Sequence, residues 1–115
     1  MEIISTQPIK FESKQEQMGI VKTLTKIKTF LTPKRWTQGD YNLDNKQFCL
    51  VGAAEKIDGF FEASVREIME HESFIRGYEA TESFNDHKNR KYPQIINFLD
   101  SCLKRAEKGR VVVSE

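Results

Sequence analysis

A first helix is predicted from the spacing of apolar residues between Ile20 and Leu31. These residues recur every three or four positions, and lysines and threonines fill the other side of the stretch. Ser13 and Glu16 precede the stripe with the spacing of a capping box, in which each side chain accepts from the other residue's backbone N–H. Pro33 ends the helix, because the residue before a proline is disfavoured in the α conformation.

The same periodicity predicts three or four further helices. A short helix is expected over residues 49–57, and another helix is expected to end near His71. Ser73 is a typical N-cap residue, so the next segment forms either a further helix or the continuation of one that bends near Ser73. The last helix has Pro93 in its first turn and Gly109 just beyond its end. The apolar positions of the last two helices are Phe74, Tyr78, Thr81 and Phe84, followed by Ile95, Ile96, Leu99, Cys102, Leu103 and Ala106.

The segment around Trp36 is expected to be irregular or hairpin-like. Gly39 suits a turn that requires a positive φ, and the Asp and Asn of residues 43–46 favour a second turn. An Asp-Gly pair at residues 58–59 is expected to close the helix over residues 49–57.

Both ends of the chain have strand character. Residues 1–12 hold isoleucines around a proline, and residues 110–115 hold three valines that could pair with this arm or with another chain. We therefore predict a mainly α fold: a compact single domain of four to five helices with at most two or three short β-strands. The helical domain spans residues 13–109, between an N-terminal arm at 1–12 and a C-terminal tail at 110–115.

Composition is that of a soluble globular protein. The chain has 115 residues, 38% of them hydrophobic and 30% charged, which is enough for one domain with its own core. Its net charge of +1 argues against specific nucleic-acid binding, since such domains carry a basic excess. No apolar run is long enough to span a membrane and no secretory signal opens the chain, so we expect a cytoplasmic protein with no membrane contact.

Cys49 is the most suggestive residue for catalysis. It opens a predicted helix, and a helix N-terminus lowers the pKa of a thiol and favours the nucleophilic thiolate. His87 or His71 could act as its base, with Asn85 or Asp86 orienting the imidazole, as in a Cys–His hydrolase. The apolar neighbours of Cys49 favour the other interpretation, a buried and inert thiol.

Metal and cofactor binding are not predicted. The two cysteines, Cys49 and Cys102, both lie in apolar helical patterns and are expected to be reduced and buried. The sequence contains no Cys-x-x-Cys or His-x-x-x-His pair that would mark a zinc site.

A polar pocket for a nucleotide-like small ligand is the second candidate site. Its predicted lining, including an aromatic wall and a cation for phosphates, is Trp36, Gln38, Asn85, Asp86 and Arg90. No glycine-rich phosphate loop accompanies these residues. Asn85 and Asp86 equally suit a structural role, in which they cap helices and turns by bonding backbone groups.

Two charged surfaces are also predicted. Lys22, Lys26 and Lys28 form a basic face on the first helix, and Glu67, Glu70 and Glu72 form an acidic surface on the third. The basic face could contact phosphates, but a solvated face is the favoured interpretation.

The order of three motifs resembles one family. Trp36-Thr37-Gln38-Gly39 is followed by Cys49-Leu50-Val51-Gly52-Ala53 and then by Phe84-Asn85-Asp86. In this order the chain, from about residue 21 to 108, is similar to the family catalogued as domain of unknown function 6197. The resemblance implies small bacterial and phage proteins that often have an Arg-Thr pair opening the last helix, where this chain has Arg90-Lys91. It implies a fold and a habitat, but no activity.

The function predicted from the sequence is a non-enzymatic protein-interaction module that binds a protein partner or itself. The apolar arm and valine-rich tail are surfaces that a small domain does not need for folding, and no catalytic pattern competes with them. A nucleotide-like ligand is the alternative function, and a Cys–His hydrolase is a third.

Overall fold

The computed structural model describes residues 9–39, 47–57 and 61–111. Within them the chain forms five helices and two short strands, which confirms the predicted mainly α fold. In chain order these are β1 (Lys10–Phe11), α1 (Lys14–Phe30), α2 (Leu50–Ile57), α3 (Glu62–Ile75), α4 (Thr81–Asn85), α5 (Tyr92–Glu107) and β2 (Arg110–Val111). The turn predicted at residues 43–46 and the helix end predicted at 58–59 lie outside the described residues.

Helix α1 begins as the sequence predicts. Ser13 Oγ accepts a hydrogen bond from the Glu16 backbone N–H at 3.0 Å. The reciprocal bond of a capping box would come from the Ser13 N–H. Here the Glu16 carboxylate accepts from the N–H of Glu12, one residue earlier, also at 3.0 Å. The helix ends at Phe30, three residues before Pro33.

The buried faces of α1, α3 and α5 meet in one hydrophobic core, which α2 and α4 close at the side. α1 contributes Ile20, Leu24 and Ile27, α3 contributes Val65, Ile68 and Met69, and α5 contributes Ile95, Phe98, Leu99 and Cys102. Phe84 of α4 stacks on Phe98 of α5 with ring centroids 4.5 Å apart. This stacking fixes the short helix α4 against the longer helix, because aromatic pairs stabilise contacts beyond the area they bury.

The helix start predicted at Ser73 is wrong. α3 continues through Ser73, whose Oγ donates to the Met69 carbonyl at 2.8 Å inside the helix. A serine bonded in this way satisfies its hydroxyl without capping a helix. The break comes instead at Gly77, whose φ of 94° is a backbone conformation that residues with a side chain rarely adopt. α4 then begins at Thr81.

The two strands attach the described residues before α1 and after α5 to the helices. β1 and β2 pair in parallel with Phe11 opposite Val111, so the tail pairs with the arm, one of the two partners its β propensity allowed. Phe11 is only 2% exposed and lies in the core. Gly109 permits this packing, because a Cβ there would overlap the Phe11 ring and lie 2.8 Å from the Ile9 carbonyl oxygen. The described residues of the arm and tail therefore pack on the helical domain.

Candidate functional site

The segment that contains Trp36 is held beside the start of α2. Trp36 forms an isolated parallel bridge with Phe48, and the Thr37 N–H donates to the Phe48 carbonyl at 3.0 Å. The Trp36 indole then donates through Nε1 to Asn85 Oδ1 at 2.8 Å. This bond joins the irregular segment to α4, forty-nine residues further along the chain.

Asn85 is fully buried and makes every hydrogen bond its side chain can make. Its Oδ1 accepts from the Trp36 indole and from the Leu50 N–H, the latter at 3.1 Å. Its Nδ2 donates to the Thr37 carbonyl at 3.1 Å and to Asp86 Oδ1 at 2.8 Å. An asparagine amide has two donors and one oxygen with two lone pairs, so its capacity is used in full.

Gln38 and Asp86 complete this group of side chains. Gln38 Nε2 donates to the carbonyl oxygens of Asn85 at 3.2 Å and His87 at 2.6 Å. Asp86 Oδ1 also accepts from the Gly39 N–H at 2.7 Å, and the φ of 78° at Gly39 confirms the positive value predicted there. We call Trp36, Gln38, Asn85 and Asp86 the Asn85 cluster.

Arg90 lies next to this cluster but bonds elsewhere. Its Nε donates to the Phe84 carbonyl at 2.8 Å and its Nη2 donates to the Tyr78 hydroxyl at 2.7 Å. The guanidinium carbon lies 3.7 Å from the centroid of the Phe84 ring, as in a cation–π contact. Arg90 therefore anchors the loop before α5 to the aromatic residues of the core.

The structure brings four of the five predicted ligand residues together in the Asn85 cluster, and their polar groups bond one another and the nearby backbone. The fifth, Arg90, bonds the Phe84 carbonyl and the Tyr78 hydroxyl instead. The Asn85 cluster ties the Trp36 segment, the start of α2 and the end of α4 into one unit. This is the structural role that asparagine and aspartate commonly have. A ligand in the same place would have to displace these internal bonds.

Cys49 lies immediately before α2 and is 7% exposed. Its Sγ accepts from the Gly52 N–H at 3.3 Å, so the thiol acts as a weak cap of that helix. Burial raises the pKa of the Cys49 thiol, the Asp86 charge raises it further, and the N–H groups at the helix start only partly oppose this. The lowered pKa expected from a helix N-terminus is wrong here, because desolvation disfavours the thiolate more strongly.

The candidate bases for Cys49 lie in different settings. The exposed His87 packs its ring edge-on against Tyr78, with centroids 5.9 Å apart, and its Nδ1 accepts from the Asn89 N–H at 3.4 Å. His71 lies within α3 and is half-buried. The Cys–His pairing stays a hypothesis.

An open groove runs beside the exposed side of α1, and the sequence analysis did not predict it. The groove has a volume of about 590 Å³, and its lining includes Lys22, Lys26, Thr29, Phe30, Arg35 and Ile57. Arg35 lies over the Phe30 ring, with its guanidinium carbon 4.8 Å from the centroid. We call this surface the basic groove, since three cations surround an apolar floor.

The basic groove contains only part of the basic face that the sequence predicted. Lys28 does not line the groove. Its Nζ forms an ion pair with Asp100 Oδ1 of α5 at 2.6 Å. Within the described parts of the chain, Lys22 and Lys26 form no ion pair. These two lysines lie one helical turn apart on the exposed side of α1.

A second exposed surface lies on α3, on the side away from the core. Glu67, Glu70 and Phe74 follow one another at helical spacing and are all exposed. Phe74 is 56% exposed, whereas the sequence placed it in an apolar stripe with Tyr78, Thr81 and Phe84. We call Glu67, Glu70 and Phe74 the Phe74 face.

Comparison with known proteins gives one match. The model of a family of unknown function, DUF6197, matches residues 16–105, which is most of the 115-residue chain. The chain belongs to the DUF6197 family. The match confirms the resemblance drawn from the three motifs, and it covers α2 to α4 and most of α1 and α5. No curated protein and no solved structure matches the chain.

The DUF6197 core also contains a buried carboxylate. Glu72 was predicted to lie on an acidic surface, which is wrong, because it is only 4% exposed. Its Oε2 pairs with Arg76 Nε at 2.7 Å and its Oε1 pairs with Arg105 Nη2 at 2.8 Å. A buried carboxylate is tolerated when it is paired in this way, and this one links α3 to α5.

Two features are absent from the described part of this DUF6197 chain. There, no group of three or more His, Cys, Asp or Glu side chains is arranged to hold a metal ion. None of the described helices is long and apolar enough to cross a membrane.

Proposed function

We propose that this DUF6197 protein is a non-enzymatic protein-interaction module that binds its partner through the basic groove. The single observation that carries the proposal is the contrast between two sets of polar residues. Side chains of the Asn85 cluster are bonded to one another, whereas Lys22 and Lys26 form no ion pair with the described residues.

The basic groove has the composition that protein interfaces favour. Phe30 and Ile57 offer an apolar floor, and Arg35 stacks over the aromatic ring beside it. Aromatic residues and arginine are enriched where interfaces are energetically strongest, and surrounding charges steer a complementary partner. A partner surface with carboxylates around an apolar side chain would match this arrangement.

A cytoplasmic setting in a bacterial or phage-infected cell is part of the proposal. Cys49 and Cys102 are both buried free thiols. Unpaired cysteines are typical of proteins in reducing compartments. The bacterial or phage habitat is the one that the family resemblance implies.

The nucleotide-like ligand and the Cys–His hydrolase remain alternative hypotheses. The first needs Asn85 or Arg90 to release bonds of 2.7–3.1 Å to protein groups, and the second needs a thiolate that burial of Cys49 disfavours. A thermal-shift panel of nucleotides and cyclic nucleotides tests the ligand hypothesis. A rise in Tm that Asn85→Ala abolishes would favour the ligand over the module.

Site-specific photo-cross-linking in the native cells tests the proposed function. A photoreactive amino acid in place of Lys26 should give one discrete protein adduct, and Lys22→Glu should remove it. The same amino acid in place of the exposed Lys104 is the control and should give no such adduct. If position 26 gives no discrete adduct, or if Lys22→Glu leaves it unchanged, the groove does not bind a protein partner.

A further inference from the structure

Two exposed surfaces of this chain complement each other in charge, and both contain apolar groups. The basic groove presents three cations around an apolar floor, and the Phe74 face presents two carboxylates beside a protruding phenyl ring. We infer that the Phe74 face of one copy docks into the basic groove of a second copy. This inference rests on the proposed function and names a partner for the same groove.

The groove is large enough for an aromatic side chain and has the right surface for one. Its volume of about 590 Å³ lies within the range of ~300–1,000 Å³ typical of small-molecule pockets. An entering phenyl ring would contact Phe30 and Ile57 and lie beside the Arg35 guanidinium. Aromatic and cation–π contacts therefore add to the burial of apolar area.

Phe74 is the natural anchor for such a groove. Its side chain is 56% exposed, and an exposed phenylalanine in a small domain leaves apolar area in water that docking would bury. In the parts of the chain that the structure describes, the only other exposed large hydrophobic residue is Met18. Met18 serves below as a matched control, since it is exposed at 60% but does not line the basic groove.

The charges on the two surfaces are opposite in sign, and the two lysines of the groove can each face one carboxylate of the Phe74 face. Lys22 and Lys26 are four residues apart on α1, and Glu67 and Glu70 are three residues apart on α3. Residues at these spacings are neighbours on a helix surface, so two ion pairs could form beside the buried ring. Glu70 Oε2 also accepts from the Thr81 N–H at 2.9 Å, which leaves its other carboxylate oxygen for the second pair. Exposed ion pairs are individually weak, and we expect a dissociation constant on the order of 10–100 micromolar.

A second copy is favoured over a nucleic acid as the occupant. A polyanion would pair with the lysines but would leave the apolar floor and Phe74 in water. The overall charge of +1 also gives little long-range attraction for a polyanion. A protein surface with carboxylates around an aromatic ring would contact both the cations and the apolar floor of the groove.

The contact is head-to-tail, because the basic groove and the Phe74 face share no residue. Each copy that donates its Phe74 face still offers an open groove to the next copy. Such contacts either close into a ring or extend as an open chain. A ring of two copies would stop at the mass of a dimer, whereas a larger ring or an open chain would give a mass that rises with concentration beyond it.

Sedimentation velocity of the full chain tests this inference. The average mass should rise with protein concentration at about 50 mM salt and much less at about 500 mM salt, where screening is stronger. Phe74→Ser and the double variant K22E/K26E should each weaken association by about tenfold or more. The controls Met18→Ser and K88E/K104E make the same chemical changes outside both surfaces and should associate as the unmodified chain does.

Mixing the two defective variants gives the sharpest result. K22E/K26E retains only its Phe74 face and the Phe74→Ser variant retains only its groove, so together they should form a 1:1 complex and nothing larger. Circular dichroism verifies that both variants fold, which is expected because all three positions are exposed.

Three outcomes overturn the inference. The first is a chain that stays monomeric at low salt up to about 1 mM, well above the expected dissociation constant. The second is a mixture of the two variants that stays monomeric while the unmodified chain associates. The third is an unmodified chain that stays monomeric while binding a fluorescent single-stranded oligonucleotide through Lys22 and Lys26. A monomeric chain that still cross-links a different protein at position 26 rejects self-association and keeps the proposed function.

Discussion

Asn85 shows how one residue can organise three segments of this protein. It is completely buried, and its amide bonds the Trp36 indole, the Leu50 N–H and the Thr37 carbonyl. The sequence identified Trp36 and Asn85 as candidates for a common site, because an aromatic wall and polar side chains suit a pocket for a small ligand. It could not show that they bond each other, since no local periodicity links residues so far apart in the chain.

Replacing Asn85 with alanine should destabilise the fold. The change leaves the Trp36 indole N–H and the Leu50 N–H without their acceptor, and each unsatisfied buried group costs roughly 1–3 kcal/mol. We expect Asn85→Ala to lower the free energy of unfolding by about 2–4 kcal/mol. Urea unfolding followed by the fluorescence of the single tryptophan measures this change.

A matched control for this variant is Asn89→Ala. Asn89 is exposed in the loop before α5. Its loss should change stability by no more than about 0.5 kcal/mol. Equal effects of the two variants would contradict the central role of Asn85.

Burial should make both thiols unreactive in the folded protein. Burial raises the pKa of the Cys49 thiol, and it raises that of Cys102 as well. Since the thiolate is the reactive form, carbamidomethylation at pH 8 should be at least about tenfold slower in the native protein than in urea. Mass spectrometry of labelled peptides follows each cysteine separately. Fast native labelling of Cys49 alone would instead support the hydrolase hypothesis.

At the scale of elements, the turn between α3 and α4 shows where sequence patterns mislead. Ser73 was predicted either to cap a further helix or to lie at a bend of one helix, but inside α3 it donates to the Met69 carbonyl. A serine side chain can either cap a helix or donate to a carbonyl one turn back inside it, and only the path of the backbone decides which bond forms. The break lies at Gly77, a residue that the prediction did not single out, and its φ of 94° is a conformation that favours glycine.

Substitution of Gly77 should destabilise this turn in a graded way. Nothing lies within 4 Å of a Cβ built at Gly77, so the effect comes from backbone strain rather than from a clash. We expect Gly77→Ala to cost about 1–2 kcal/mol, and Gly77→Asn to cost less because asparagine tolerates a positive φ. Thermal unfolding of the two variants and of the unmodified chain gives their order of stability. If alanine is as stable as glycine here, the turn does not depend on this conformation.

The residues that line the basic groove could be predicted only in part. The reason again lies in how separate segments of the chain pack together. The stripe of α1 predicted the positions of Lys22 and Lys26, but the groove also needs Arg35 and Ile57 from other segments. Lys28, from the same predicted face, pairs with Asp100 of α5 instead. Periodicity assigns residues to a face of one helix and does not reveal what the next element places beside that face.

At the scale of the whole molecule, the mainly α class followed directly from the sequence, but the role of the ends did not. The arm and tail were predicted as surfaces for a partner because a small helical domain does not require them. In the structure, residues of β1 and β2 pair, and Gln17 Nε2 donates to the Gly109 and Ala106 carbonyls at 3.1 and 2.8 Å. The end of α5 and the start of β2 are thus bonded to α1.

The last prediction tests whether the ends belong to the cooperative fold. A chain restricted to residues 13–109, the predicted helical domain, lacks Phe11, which is 2% exposed in the core. Removing a buried phenylalanine side chain costs about 3–5 kcal/mol, so both this truncation and Phe11→Ala should lose about that much stability. Lys10→Ala changes the exposed neighbour on the same strand and should have little effect. Urea unfolding measures the free energy of unfolding of the full chain, the truncated chain and the two single variants. If the truncated chain is as stable as the full chain, the ends are accessory segments; the expected loss would show instead that they complete the core.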